Sequence, residues 1–207
     1  MANTTPPVPP ARVKWWDNVV NRKGEVWVFI EAVNGKISDV SLELLSKGRE
    51  LAETLKAPLA GMLLGHKVEA LAQKVISCGA DKVYVVEHEM LARYETHPYA
   101  KAAVELIKSR NPQIVIYGAS AIGRDLAPRI ASALHAGLTA DCTDLEIGSH
   151  QDPVTKETYG NILYQIRPAF GGNIIATIVN TWGWPQMATV REGVMRMPEA
   201  DVSRTGE

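Results

Sequence analysis

The apolar positions change period along the chain, and the changes lay out its elements. Val26-Trp27-Val28-Phe29-Ile30 is an unbroken apolar run, which predicts a strand buried on both faces. A polar break with Asn34-Gly35 follows. From about Ser38 to Leu55 the spacing turns helical, with Leu44, Gly48, Leu51, Ala52 and Leu55 on one face. Gly48 costs about 1 kcal/mol relative to Ala inside a helix, and close packing of that helix on a sheet is its expected reason. The cycle repeats three times. Leu59 to Leu64 predicts a strand, and Val68, Leu71, Ala72, Val75 and Ile76 give a helix stripe stopped by Gly79. Val83 to Val86 is the next strand, then a helix marked by Tyr99, Ala102, Ala103, Leu106 and Ile107. Ile114 to Tyr117 is a strand, and Leu126, Ile130 and Leu134 line a fourth helix. Strict alternation of this kind predicts an α/β, doubly wound, mostly parallel sheet with helices on both faces.

After Gly137 the pattern changes. Three β-like runs, Thr143 to Ile147, Ile162 to Arg167 and Ile174 to Val179, have no helix between them. The polar stretch Ser149 to Thr158 reads as the loop of a hairpin, so the C-terminal third is expected to add antiparallel strands at a sheet edge. From Thr181 onward there are two Trp, two Pro and little periodicity. That segment reads as a packed tail or a linker. The Thr- and Pro-rich start, Met1 to Pro10, has no apolar core of a secretory signal and is expected to be an extended arm.

Composition narrows the function classes. A chain of 207 residues suits one domain. Its formal net charge is -1 with both signs mixed along the sequence, which is unlike the basic stripe of a nucleic-acid binder. No apolar run reaches the ~20 residues of a membrane span, so neither nucleic-acid binding nor membrane insertion is expected. Cys78 and Cys142 stand far apart, in keeping with a reduced, cytoplasmic compartment.

In an open parallel sheet, ligands bind beyond the carboxyl ends of the strands. The candidate loops are therefore Glu31 to Gly35, Gly65-His66 and Gly118 to Asp125. The last imitates a phosphate loop in its glycine spacing, Gly118 to Gly123, but Arg124 and Asp125 replace the Lys and Ser or Thr that such a loop needs. An acid-base role for Arg124 and Asp125 is one reading of that loop, and a tight turn with a helix cap is the other. No GxGxxG follows the first strand, no GxSxG elbow is present, and the five histidines lack metal-type spacing. No metal site and no catalytic constellation is expected.

Three linked stretches carry a family resemblance. They are Gly118 to Ala131 leading through Gly137 to Leu145, then Arg167-Pro168-Ala169-Phe170-Gly171-Gly172-Asn173 continuing to Ile178, then Pro185 to Val194. In this order and spacing the chain resembles the N-terminal domain of electron-transfer flavoprotein alpha subunits, including the nitrogen-fixation-linked alpha-type subunits, over about Glu25 to Met197. The resemblance implies an adenine-nucleotide-hydrolase-like Rossmannoid fold and a division into residues 1–24 (an extension), 25–197 (the domain) and 198–207 (a linker toward an absent C-terminal FAD domain). It implies an electron carrier, not an enzyme, that relays or bifurcates electrons through FAD between NADH or a dehydrogenase and a redox partner. FAD would be held mainly by the beta subunit and the C-terminal domain, with AMP or a second FAD in the beta subunit. The partners implied are that beta subunit and an acyl-CoA or other dehydrogenase. On this sequence the cofactor-facing candidates are Arg167, Phe170 and Gly171, with Thr139 and Asp141 near the same edge. Arg167 could stabilise charge on a flavin or pair with a carboxylate at the subunit interface. Trp182 and Trp184 are candidates for inter-domain or subunit contact. The alternative reading is an adenine-nucleotide-binding regulatory module of similar fold.

Overall fold

The computed structural model of the chain describes residues 23–154, 156–169 and 174–207. The strands are β1 (Val26–Ile30), β2 (Ala32–Val33), β3 (Lys36–Ile37), β4 (Leu59–Gly65), β5 (Lys82–Glu87), β6 (Ile114–Gly118), β7 (Leu138–Cys142), β8 (Asp144–Gln151), β9 (Thr158–Pro168), β10 (Ile175–Ile178) and β11 (Gln186–Val190). The helices are α1 (Asp39–Leu55), α2 (Ala72–Ser77), α3 (Thr96–Arg110) and α4 (Ala121–Leu134). Six strands form one sheet in the order β5-β4-β1-β6-β11-β7, and every neighbouring pair is parallel.

The apolar run of β1 explains why the sheet is covered on both sides. Val26, Val28 and Ile30 point to one face, where α1, α2 and residues of β8 and β9 cover them. Trp27 and Phe29 point to the other, under α3 and α4. All five are at most 2 % exposed, and alternation along a strand sends successive side chains to opposite layers. Gly48 has the expected reason: a Cβ there would lie 2.7 Å from Leu59 Cδ1 and 3.1 Å from Val28 Cγ2. The polar break after β1 is itself a small hairpin, β2–β3, turning through Asn34 (φ 52°) and Gly35 (φ 73°). Asn-Gly is the pair that a two-residue hairpin turn demands.

Two expectations for the C-terminal third need correction. The antiparallel strands do not extend an edge of the parallel sheet. They build a separate sheet in the order β10-β9-β8, anchored to the α1 side of the core by Leu145 and Leu163. The segment after Thr181 is not a tail throughout, because Gln186–Val190 is β11, buried at every position and lying between β6 and β7. The crossover from β6 through α4 to β7 leaves a gap one strand wide, and the chain fills it only after the excursion through β8, β9 and β10. Leu138–Cys142, which carries the edge candidates Thr139 and Asp141, is likewise a strand of the main sheet.

Gln186 stitches the two sheets together. Its backbone N–H donates to the Gln113 carbonyl at 3.0 Å, while its side-chain Oε1 accepts the Leu163 N–H at 2.7 Å. Among the described residues no helix is long and apolar enough to cross a membrane, and no cluster of His, Cys, Asp and Glu could hold a metal ion.

Candidate functional site at the carboxyl edge

The strand order reverses between β1 and β6, so the ligand position of a doubly wound sheet lies beyond their carboxyl ends. A cleft of about 350 Å³ opens there, over the ends of β1 and β4, with Phe29, Leu64 and Tyr99 among its apolar lining and Glu31, His66 and Tyr94 among its polar groups. The glycine-spaced loop beside it serves packing. A Cβ on Gly123 would sit 1.8 Å from the Gly118 carbonyl oxygen, so the first turn of α4 can lie this close to β6 only without a side chain. Ser120 caps α4, its Oγ accepting the Gly123 N–H at 3.0 Å. The Ser120 hydroxyl in turn donates to the Glu31 carboxylate. A carboxylate from β1 therefore already stands at this helix N-terminus, where a bound phosphate would otherwise be favoured. That arrangement disfavours the nucleotide-binding alternative.

Arg124 and Asp125 turn to different partners. Asp125 accepts hydrogen bonds from Tyr94 Oη and Thr96 Oγ1, each at 2.5 Å, and the hydrogen bonds from Thr96 and then Tyr94 hold its carboxyl below the usual range. A carboxylate kept ionised by two donors is a poor proton shuttle at neutral pH. Arg124 turns to Asp141, with 3.2 Å between Nε and Oδ1.

The second focus lies at the end of β7. The pairing of β7 with β11 shifts register between Ala188 and Val190, and Asp141, with φ 59°, is the residue that absorbs the irregularity. Its N–H donates to Thr189 Oγ1 at 2.9 Å, and Thr189 is 1 % exposed. Bulges of this kind re-aim a side chain, here that of Asp141 toward Arg124. Arg167 lies near the end of β9, opposite Ala176 of β10, on the middle strand of the small sheet and not at its edge. It is half-buried, and its charge is felt at Cys142. Burial pushes that thiol up to about 11, against the opposing pull of Arg167 and with a further push from Asp141. Among the described residues no carboxylate or hydrogen-bond acceptor engages the Arg167 guanidinium.

The structure thus brings Arg167 and Asp141 together around Cys142. Thr139 is buried within the sheet opposite Ala188 and offers its hydroxyl to the interior. Phe170 and Gly171 lie outside the described residues. Trp184 is 5 % exposed and belongs to the interior, while Trp182 is 50 % exposed. Sequence reasoning missed Thr189 and Gln186, whose segment carried no strand signal, and the role of Glu31, which becomes visible only when β1 and β6 are neighbours.

An electron transfer flavoprotein domain model matches residues 26–207. The chain belongs to the electron transfer flavoprotein family. It is 48% identical over 187 residues to the electron transfer flavoprotein subunit alpha of Clostridium acetobutylicum, covering 90% of this chain and 53% of that protein. It is 46% identical over 188 residues to the electron transfer flavoprotein subunit alpha of Thermoanaerobacterium thermosaccharolyticum, covering 91% and 54%. It is 38% identical over 174 residues to the lactate dehydrogenase (NAD(+),ferredoxin) subunit LctC of Acetobacterium woodii, covering 84% and 39%. The chain spans about half the length, or less, of these curated relatives.

The residues fit a flavin only as one wall. The cleft of about 350 Å³ is at the small end of ligand sites and lies over β1 and β4, whereas Arg167 stands on β9 of the small sheet.

Proposed function

We propose that this domain is the N-terminal half of an alpha subunit that relays electrons through FAD, between NADH or a dehydrogenase and a redox partner, as a carrier with no bond-making chemistry of its own. One observation carries the reading: a half-buried Arg167 without an anionic partner among the described residues, beside an Asp141 whose bulged backbone and ion pair with Arg124 fix its place. A half-buried guanidinium with no acceptor among the described residues is placed to meet negative charge on something that docks. A beta subunit carrying the flavin is the partner that fits, and the name of the Acetobacterium relative is in keeping with a partner oxidoreductase that handles NAD and ferredoxin.

FAD supplies the one- and two-electron chemistry when bound. This chain's part is electrostatic and steric. Arg167 would stabilise negative charge on the ring and raise the reduction potential, and Asp141 would keep Arg124 in its ion pair. The test is co-expression of the full-length subunit with its beta subunit, comparing wild type, Arg167→Lys and Arg167→Ala for flavin content and midpoint potential. Arg167→Ala should keep its flavin and fall by tens of millivolts, where about 59 mV is tenfold for a one-electron couple. Arg167→Lys should fall less. Full flavin content with an unchanged potential in Arg167→Ala would remove Arg167 from the cofactor, and a pair that binds no flavin at all would remove the reading itself.

A further inference from the structure

The segment Asp201–Glu207, expected to be a linker, is laid along the outer edge of β5. The Asp201 N–H donates to the Ser77 carbonyl at 2.8 Å, and Ser203 folds back on the Asp201 carboxylate through its N–H at 2.9 Å and its hydroxyl at 2.6 Å. Gln73 Nε2 donates to the Arg204 carbonyl at 3.1 Å. A Cβ on Gly206 would come within 2.6 Å of the Asp81 carbonyl oxygen, so the chain approaches β5 backbone to backbone. The Glu207 N–H donates to the Asp81 carbonyl at 3.0 Å, and the Val83 N–H donates to the Glu207 carbonyl at 2.8 Å. One residue bonded in this way to the two neighbours of Lys82 is the pairing of parallel strands.

Asp81 gathers these contacts from both sides. Its Oδ2 accepts the Leu59 N–H at 2.9 Å. Its Oδ1 accepts Arg49 Nη2 at 2.8 Å and Arg204 Nη2 at 2.6 Å, and Arg204 Nε adds a bond to the Ala80 carbonyl at 3.2 Å. The carboxylate is two-thirds buried, and Arg49 and Arg204 are comparably covered. Charge-assisted bonds of this kind are stronger than neutral ones. Here a single carboxylate joins the sheet through Oδ2 and both α1 and the strap through Oδ1.

We infer that Asp81 is a positioning residue that clamps the 201–207 strap through Arg204, so that the backbone at Glu207 is held in parallel pairing with β5. This inference is independent of the flavin reading, because its readout is the strap itself.

The experiment is hydrogen–deuterium exchange on the 207-residue chain, with wild type, Asp81→Asn and Arg204→Ala. Both variants should speed exchange of the Asp201, Arg204, Glu207 and Val83 amides at least about tenfold and leave the β1 amides at the wild-type rate. Arg204→Ala keeps the Asp81 bonds to Arg49 and Leu59, so it reads the clamp even where Asp81→Asn folds poorly. Limited trypsin digestion adds a second readout, with cleavage after Arg204 rising in Asp81→Asn. Strap amides as protected in Arg204→Ala as in wild type would overturn the inference, because the backbone pairing would then hold without the clamp. Exchange that rises equally in β1 would overturn it too, since the variant would have loosened the whole domain.

Discussion

Replacing Gly123 by Ala tests whether the glycine-spaced loop exists for packing. The new Cβ would stand 1.8 Å from the Gly118 carbonyl oxygen, against a closest real approach of ~3.0 Å, so α4 and β6 must part by about 1.2 Å. Neither partner yields easily. The obstacle is backbone, and α4 is held by Leu126, Ala127 and Ile130, all fully buried. Overpacking against an immobile neighbour costs about 3 kcal/mol, and the helix preference of Ala returns about 1 kcal/mol. The net loss of about 2 kcal/mol lowers Tm by roughly 4–8 °C in a chain of this size. Gly48→Ala is the matched control. Its Cβ meets only side-chain ends, Leu59 Cδ1 and Val28 Cγ2, so the same helix gain should leave it within about 1 kcal/mol of wild type. Thermal unfolding followed by circular dichroism measures both. A Gly123→Ala protein melting within about 2 °C of wild type would refute the backbone-contact argument, and so would equal losses in the two variants.

Other outcomes follow from the same geometry. Gln186→Leu removes the acceptor of the buried Leu163 N–H and should destabilise the fold by about 2 kcal/mol, with exchange of the Leu163 amide rising before that of β1. Cys142 is fully buried with its thiol pushed up to about 11. It should therefore resist labelling by a thiol reagent at pH 8 in the folded chain and react at the rate of an ordinary cysteine in denaturant.

The parallel core was legible because its information is local. The β1 run is apolar at every position, which only a strand covered on both faces requires. The helix stripes carry their own period, and β1, β4 and β5 lie side by side in the order in which the chain reaches them. The candidate residues were read without their geometry, Arg167 from the resemblance and Asp141 from the topology, and the charges of both act on the Cys142 thiol. Thr139 was drawn from the same stretch, but strand alternation turns it inward.

What the tertiary structure alone decided is where late segments return. Gln186-Met187-Ala188-Thr189-Val190 has too mixed a pattern to announce a central strand. Gln186 Oε1 and Thr189 Oγ1 find the N–H donors of Leu163 and Asp141 in elements 23 and 48 residues away. The separate antiparallel sheet, the carboxylate of Glu31 at the cap of α4 and the Asp81 clamp have the same character. Each depends on groups distant in sequence that meet once the sheet has formed, and a buried polar atom is stable only when such a partner is in place. Hydrophobic period fixes which segments must be covered, and long-range polar pairing fixes which neighbour covers them.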